Sequence, residues 1–307
     1  MADIITSGQV SRVVGPYLNK VFTDTYKKAK PQWKMVFDEI SNPNDRSYHE
    51  DVILAGLGTA QQLPEGQPTP LISSGQMYSA IYNYEQYALG FGITNIAYQD
   101  GRHAALGEAY SKFLGTSFLE AKELNAANVL NFGFNAALQV GGDRVALFSA
   151  SHPLKFGGVD SNLLPAAALS QTSLENANII VRNALAFDGT KAINLSIMKL
   201  IVPPALEQQA KILMHTTLRT GTTANDINPV GNAYSSLQDI VCLTRLTSTT
   251  AWFLKTDCDR GLLIAQRTEM EKRTEPDFLT ATLQFAATER YKLYFTDWHG
   301  AYGNAGV

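Results

Sequence analysis

The sequence predicts an α+β fold, arranged as one large domain or two interleaved ones. Three observations support this: a strand-like alternation over residues 87–93, an apolar helical stripe over residues 106–134, and strands that recur among helices from residue 193 onward. Strands drawn from distant parts of a chain favour α+β over repeated βαβ units. The 307 residues are 45% hydrophobic, which is enough apolar material for a substantial core.

Residues 1–45 form a polar opening segment with little continuous pattern. Up to residue 34 the segment holds six basic residues and only two acidic ones, so its net charge is +4. We predict an extended arm with short helical pieces. The basic residues are Arg12, Lys20, Lys27, Lys28, Lys30 and Lys34, and Trp33 and Phe37 lie near the end of the segment.

Residues 47–99 predict a long hairpin. Aromatic and β-branched residues indicate strands at 52–54 and 78–93, and the Gly- and Pro-rich residues 56–68 indicate a flexible tip. An isolated hairpin is marginal in water, so we expect this one to lie on another surface. The hairpin has no Lys or Arg, so its charge is opposite to that of the arm. This complementarity indicates a contact between hairpin and arm across subunit boundaries, and a chance imbalance of charge is the alternative. The acidic residues are Glu50, Asp51, Glu65 and Glu85.

A long helix follows, with Asp100 as a candidate cap. About 35 residues at a rise of ~1.5 Å give a rod of roughly 50 Å, which Gly107 and Gly115 weaken enough to allow a kink. Its apolar stripe consists of Leu106, Tyr110, Leu114, Phe118, Ala121, Leu124, Ala127, Leu130 and Phe134.

The second half predicts alternating helices and strands. Thr172 and Glu175 have the spacing of a capping box, which would open a helix through Leu185. Pro203 and Pro204 predict the end of a strand and the start of a helix that runs to about residue 218. Residues 225–232 predict a loop. Strands are predicted at 193–197, 200–202, 252–254, 262–264 and 278–285 and near 291–298.

The composition excludes several classes of protein. A charged fraction of 17% is low against the usual ~25%, which fits surfaces buried between copies and equally an enzyme with a neutral surface. The net charge of −3 argues against strong overall attraction to nucleic acid. Cys242 and Cys258 provide neither a disulfide framework nor a metal quartet, and they fit a reducing cytoplasm. We predict no signal peptide and no membrane span.

Candidate chemistry is sparse. Gly56 and Gly58 lack the third glycine and the helix of a dinucleotide loop. Ser149 and Ser151 precede His152, but sequence neighbours rarely form a catalytic triad, and a turn explains them equally well. The histidines are scattered, which leaves open only a metal site built from distant ligands. We therefore predict no catalytic, cofactor or metal site. The five histidines are His49, His103, His152, His215 and His299.

From about residue 195 the order of segments resembles the major head subunits of tailed bacteriophages, most closely the Mu-like prophage major head subunit family. The segments are residues 200–213, 228–229, 251–254, 263–267 and 298–302. The order of arm, long hairpin, long helix and α/β remainder also matches the Hong Kong 97-like capsid fold. That resemblance implies a chain that is a structural subunit and not an enzyme.

The resemblance implies five regions: an N-terminal arm (1–45), an extended loop (46–97), a peripheral domain with a spine helix (98–168), an axial domain at the five- and six-fold axes (169–254), and a return to the peripheral domain (255–307). In such a fold the loop lies across a neighbouring subunit. The implied inter-subunit residues are Glu50, Asp51, Leu57, Glu65, Tyr82 and Glu85 of the loop, and Arg12, Lys20, Lys27, Lys28, Lys30 and Trp33 of the arm.

The implied function is that of a major capsid protein, assembled in the host bacterial cytoplasm as pentamers and hexamers of the virion shell. The shell would enclose double-stranded DNA through non-specific contacts, with portal and decoration proteins as partners and no cofactor or membrane. Only a short arm precedes the hairpin, so we expect a separate scaffold protein, or else a chain that is already mature. The alternatives are an encapsulin-like nanocompartment shell, which would show a cargo-peptide groove, and a cytosolic α+β enzyme, which would show a deep polar pocket.

Some relatives join their subunits covalently through a lysine in the extended loop. Here no lysine occurs between Lys34 and Lys112. The loop therefore has no nucleophile for an isopeptide bond, and we predict a non-covalent shell.

Overall fold

The computed structural model describes residues 7–28, 30–41, 46–56, 60, 62–69, 71, 75–94, 96, 103–137, 141–189, 192–216, 228, 237, 239–277 and 282–307. Within these ranges the chain is α+β, as predicted. The helices are α1 (Ser7–Lys28), α2 (His103–Asn131), α3 (Gln171–Arg182) and α4 (Pro204–His215). Short 3-10 turns lie at Trp33–Met35 and Trp298–Gly300.

Twelve strands form two four-stranded sheets and two small hairpins in the described part of the chain. The first six are β1 (Asp38–Ser41), β2 (Tyr48–Leu54), β3 (Gln76–Asn83), β4 (Glu85–Thr94), β5 (His152–Pro153) and β6 (Val159–Asp160). The others are β7 (Ile197–Val202), β8 (Asp239–Cys242), β9 (Trp252–Thr256), β10 (Leu262–Asp277), β11 (Thr282–Phe295) and β12 (Ala301–Asn304).

The first sheet has the strand order β1-β10-β11-β4 and is covered by α1 and α2. Strands β10 and β11 are long and antiparallel, β4 pairs antiparallel with β11, and β1 runs parallel to β10. Phe22 of α1, Phe118 of α2 and Ala287 of β11 belong to one buried cluster between the helices and the sheet. Both helices are thus held to the sheet by apolar contacts.

The second sheet has the order β12-β9-β7-β8 and carries α3 and α4. Val181 of α3, Ala210 of α4, and Leu200 and Trp252 of the sheet are fully buried in one cluster. Strands β7, β9 and β12 each overlap one of the sequence segments on which the phage resemblance depends. A further cluster joins the two sheets, and it includes Leu130, Ile201, Phe253, Ile264 and Phe295, each at most 2% exposed.

The strand run predicted at residues 78–93 is two strands, not one. Strand β3 pairs with β2 in a hairpin, whereas β4 pairs with β11 in the first sheet. Tyr84 lies between them and is buried. The alternation in β4 is partly as predicted: Phe91 and Ile93 face the helices while Gly90 and Gly92 are exposed, but Leu89 of the predicted apolar face is 48% exposed.

The opening segment is a 22-residue helix, so the predicted extended arm is wrong for residues 7–28. Leu18 and Phe22 lie one turn apart and are 1% and 3% exposed, because they face α2 and the first sheet. Tertiary packing of this kind supplies most of a helix's stability. The polar composition of the segment alone did not predict this helix.

Helix α2 is confirmed over His103–Asn131, while its proposed cap Asp100 lies outside the described residues. The predicted stripe is only partly right. Leu114, Phe118 and Leu130 are buried, but Leu106, Tyr110, Leu124 and Phe134 are 36–47% exposed. The helix is continuous through Gly107 and Gly115, which face α1. Because glycine has no side chain, these two positions let α1 approach α2 closely, and they do not break α2.

The two glycines differ in the room beside them, and this predicts opposite effects of substitution. A Cβ at Gly115 would lie 3.5 Å from Phe22 O, an ordinary contact. Gly115→Ala should therefore stabilise the protein by about 0.5–1 kcal/mol through helix propensity. A Cβ at Gly107 would lie 3.1 Å from Leu18 Cδ2, so Gly107→Leu should cost about 1–3 kcal/mol through overpacking. Urea unfolding of both variants checks this, and equal effects of the two would contradict it.

Two local predictions in the second half are wrong in detail. Helix α3 is capped by Ser170, whose side chain accepts from Ser173 N while Ser173 Oγ accepts from Ser170 N, so the box lies two residues before the predicted Thr172 and Glu175. Strand β7 begins at Ile197, where the prediction placed the end of a strand. The start of α4 at Pro204 is confirmed. The predicted loop at 225–232 lies outside the described residues, except Asn228.

Candidate subunit interface

The inward face of the β2–β3 hairpin lies on the body of its own subunit. Tyr78 Oη donates to Thr296 O at 2.8 Å, and Tyr82 Oη donates to Phe295 O at 2.6 Å. Ile53 packs with Phe187 and Trp298 in a buried cluster. Burial raises the pKa of both tyrosines, and nearby carboxylates add to it, so both hydroxyls stay protonated as donors. The base of the hairpin is therefore held against the rest of the same chain.

The outward face of the same hairpin is apolar but uncovered. The register pairs Val52 with Ser79 and Glu50 with Ile81, so these four side chains share the face opposite Tyr78 and Tyr82. Leu54 is 64% exposed and Ile81 is 60% exposed. A two-stranded hairpin with one face on the core and the other in water should alternate apolar and polar residues. This one carries apolar residues on both faces, which indicates a second contact.

The tip of the hairpin is exposed wherever it is described. Residues 60, 62–69 and 71 are all exposed, and Leu71 has 96% of its surface in solvent. Glu65 lies in this stretch, while Leu57 lies outside the described residues. The base of the predicted hairpin thus lies on its own subunit, and the described residues of its Gly- and Pro-rich tip are exposed to solvent.

The acidic residues of the loop have different local partners. Asp51 faces inward and accepts from Thr296 Oγ1 at 2.6 Å. Glu50 is exposed and lies 3.7 Å from Arg46, an exposed pair of little energetic value. Among the acidic residues of the hairpin, Glu50 and Glu65 are therefore the two whose side chains are exposed on the described surface.

Glu85, which was grouped with the hairpin, belongs instead to β4 of the first sheet. It forms an ion pair with Lys292 and accepts from Tyr87 Oη at 2.5 Å. Partial burial would raise the pKa of Glu85, but these two hydrogen bonds outweigh it and hold the pKa below its ordinary value. Its negative charge is thus used within the subunit.

The predicted arm residues are split between surface and core. Lys20, Lys27 and Lys30 are exposed, whereas the side chains of Arg12 and Lys28 lie outside the described residues. Trp33 is only 3% exposed and packs in the central core. Its backbone N–H donates to Glu123 of α2 at 3.1 Å. Trp33 therefore anchors the arm to its own subunit and offers no surface to a neighbour.

A buried ion pair lies beneath the arm, where sequence reasoning found none. Lys122 of α2 and Glu289 of β11 are 2.8 Å apart, with side chains 3% and 0% exposed. Lys122 also donates to Tyr26 Oη at 3.0 Å. Burial is the largest effect on the pKa of Lys122 and lowers it, but the Glu289 charge, the Tyr26 hydroxyl and the hydrogen bonds to both together outweigh burial, so the pKa is raised. Burial raises the pKa of Glu289 despite the lysine. The pair joins both helices to the first sheet.

His152 is not placed as a catalytic base. Its Nδ1 lies 2.6 Å from Asp143 Oδ2 and its Nε2 lies 3.1 Å from Asn162 Oδ1, so both ring nitrogens have partners other than Ser149 or Ser151. The ring itself is fully buried. Since a triad needs the nucleophile against the base, this arrangement does not provide one.

Within the described residues, no group of three or more His, Cys, Asp or Glu side chains is placed to hold a metal ion. None of the helices described is both long and apolar enough to cross a membrane. The cysteines Cys242 and Cys258 are both free thiols.

The two sheets, the long helix α2 and the outlying hairpin together define a Hong Kong 97-like capsid subunit, and solved structures share this fold. The mature capsid of bacteriophage PhiM1 superposes with a TM-score of 0.54 at 11% identity, covering 91% of this chain and 88% of that one. The capsid of the empty GTA particle gives 0.55 at 9% identity, covering 90% of each chain. A virus-like particle from Pyrococcus furiosus gives 0.51 at 11% identity, covering 94% and 97%.

Sequence comparison identifies the family. A family model described as phage capsid protein matches residues 79–304, which is well over half of the chain. The chain therefore belongs to the phage capsid protein family. No curated protein matches it by sequence. The chain is thus a structural subunit of a phage capsid with the Hong Kong 97-like fold.

The structure also reveals exposed apolar residues that the sequence reading missed. Val52, Leu54 and Ile81 were read as ordinary strand residues, although they lie on the outward face. One signal could have found Val52 and Leu54: residues 52–54 are apolar without interruption, so at least one of them must face away from the core.

Proposed function

We propose that this chain is the major head subunit of a tailed phage, and that many copies close into an icosahedral shell around double-stranded DNA. The observation that carries the proposal is the hairpin with apolar residues on both faces, one packed on its own subunit and one uncovered. In a capsid subunit such a face is buried against another copy. Each contact can be modest because many act together in a closed shell.

We place the inter-subunit contact on the outward face of the hairpin and on the exposed lysines of the arm. The hairpin contributes Val52, Leu54 and Ile81 with Glu50 beside them and Glu65 at the tip. The arm contributes Lys20, Lys27 and Lys30, whose charge is complementary to those acids. Apolar contact would provide the affinity, and the charges would favour the correct partner surface. Tyr82, Asp51, Glu85 and Trp33 are not part of this contact because they bind within the subunit.

The domain roles stay part of the proposal. The first sheet with α1 and α2 would form the peripheral domain, and the second sheet with α3 and α4 would form the axial domain. The boundary proposed at residue 254 falls inside β9, so the axial domain would extend at least through Thr256 and would also take in β12. The likeness to the Mu-like prophage head subunits is supported by the segments from residue 200 to 302, three of which lie together in the second sheet.

The remaining roles rest on the family. We propose assembly in the bacterial cytoplasm with a separate scaffold protein, a portal and decoration proteins as partners, non-specific contact with packaged DNA, and no catalytic activity. The encapsulin-like alternative shares the fold, and the likeness to the Pyrococcus furiosus particle concerns the fold alone. No observation here favours it over the phage capsid family.

Purified protein examined by negative-stain microscopy and light scattering tests this function, with and without its candidate scaffold. We expect closed shells or five- and six-fold rings. After denaturation the particles should run as a single band of 33.5 kDa, because the loop offers no lysine for cross-linking. A stable monomer or dimer under every condition would overturn the capsid proposal. A ladder of higher bands would overturn only the non-covalent part.

A further inference from the structure

A cavity of about 490 Å³ is bounded by helix α1, helix α2 and strand β10. An apolar cavity of ~150 Å³ already holds a benzene ring, so this one has room for several side chains. It is here called the arm cavity, and its lining includes Phe22, Tyr26, Lys27, Leu119, Met270 and Lys272.

Two lysines that line the arm cavity have no acidic partner among the described residues. Lys34 and Glu39, which also line it, form an ion pair at 3.9 Å. The buried lysine–glutamate pair described above, at 2.8 Å, uses two more of the lining charges. Lys27 and Lys272 remain, and among the described lining residues only Glu269 opposes them. The unpaired charge of the lining is therefore positive.

The two lysines also act on each other. Burial lowers the pKa of Lys272, and the charge of Lys27 lowers it further. The partners that the structure gives the Lys272 ammonium are neutral, since it donates to Thr23 Oγ1 and Asn19 O and lies 5.1 Å from the centre of the Phe22 ring. A negative charge beside both ammonium groups would relieve their repulsion and accept charge-assisted hydrogen bonds from them.

Much of the remaining wall is apolar. Tyr26, Leu119 and Met270 are half-buried, so each presents part of an apolar side chain to the cavity. Apolar surface of this kind is stabilised when another apolar group covers it. The group that fits the arm cavity therefore carries a negative charge on an apolar body.

The tip of the hairpin has this composition. Gln67 N donates to Pro64 O at 3.3 Å, and Gly66 has a φ of +81°, so these residues form a tight turn with glycine at its third position. Glu65 occupies the second position of the turn and is exposed. It lies two residues after Leu63, which is 46% exposed. The turn thus presents a carboxylate beside an aliphatic side chain.

We propose that the arm cavity of one subunit receives the hairpin tip of a neighbouring subunit, with Glu65 between Lys27 and Lys272 and with Leu63 against the apolar wall. This inference rests on the proposed function, because it needs neighbouring copies. It goes further by assigning the site that receives the tip and by adding Lys272 of β10 to the contact. The tip supplies the negative charge that the lining lacks, and the lining supplies the positive charge that the hairpin lacks.

Carbodiimide cross-linking of assembled wild-type shells tests this, because the reagent joins a carboxylate to an amine where the two are in contact. Peptide mass spectrometry should find Glu65 joined to Lys27 or Lys272. The variant Glu65→Gln should remove this product, and so should a chain with both Lys27→Gln and Lys272→Gln. Lys30→Gln is the matched control, because Lys30 is an exposed arm lysine outside the lining of the cavity, and it should leave the product unchanged.

Mixed shells show whether the link joins two subunits. Copies with Glu65→Gln cannot supply the carboxylate, and copies with both lysine substitutions cannot supply the amines. When the two kinds of copy are assembled together, the product should reappear, since each provides the group that the other lacks. A link within one subunit would not reappear, and that result would overturn the inference.

The wild-type cross-links need no variant to assemble, and they separate the inference from the proposed function. Wild-type shells in which Glu65 links to other lysines or to none would overturn the inference and leave the capsid function in place. A wild-type protein that forms no shells under any condition would overturn both. A link from Glu65 to Lys27 or Lys272 that returns in the mixed shells supports the inference.

Discussion

Subunits carrying both Leu54→Asp and Ile81→Asp are expected to fold but to form no closed shells. Both side chains are at least 60% exposed in the subunit, so the substitutions remove little that holds the fold together. If the outward face of the hairpin is buried against a neighbour, each contact loses two apolar side chains worth about 1.5–3 kcal/mol apiece. At about 1.4 kcal/mol per factor of ten, each contact weakens more than a hundredfold.

The measurement is the fraction of protein in shells, by sedimentation and negative-stain microscopy, over a range of protein concentrations. The control is Ser79→Asp, which adds one negative charge to the same outward face, against two in the double variant, without removing apolar surface. We expect the control to assemble with a modest defect. Closed shells of the double variant at wild-type concentration would show that this face is not the interface.

The second large effect concerns the buried pair beneath the arm. Lys122→Met should destabilise the subunit by about 3–5 kcal/mol, because it leaves the Glu289 carboxylate buried without its counter-charge. The Lys122→Met and Glu289→Leu double variant should recover most of that loss, since a buried pair replaced by apolar residues is often neutral. Urea unfolding of dispersed subunits measures both.

An exposed pair of the same residue types provides the control. Lys211 and Glu207 lie one turn apart on α4 with half-exposed side chains. Lys211→Met should cost no more than about 0.5 kcal/mol, because exposed helix pairs contribute that little. A loss for Lys122→Met as small as that for Lys211→Met would mean that Glu289 finds water or another partner when the lysine is gone.

The sequence alone determined the features that depend on neighbouring residues along the chain. The strand β4, the presence of a long helix at α2 and the start of α4 at Pro204 all follow from local spacing and from the fixed backbone of proline. The fold class followed from the order of these elements, and the order of segments after residue 195 was enough to indicate the capsid family. These patterns are local, so no knowledge of the tertiary structure was needed to read them.

The tertiary structure decided what depends on contacts between distant parts of the chain. Helix α1 is stabilised by Leu18 and Phe22 against α2 and the first sheet, and the arm's own composition carries no sign of those partners. The division at Tyr84, which sends β3 to the hairpin and β4 to the first sheet, depends on which strand is available to pair with each. Strand propensity reports only that a strand forms.

The same reason separates the proposed interface from the core. Trp33 and Leu54 are both apolar residues near polar neighbours in the sequence, yet Trp33 is 3% exposed and Leu54 is 64% exposed. The pairing of Lys122 with Glu289, 167 positions apart in the numbering of the chain, likewise exists only after α2 packs on β11. Burial and charge pairing are properties of the packed chain, because they depend on what lies on the other side of each residue.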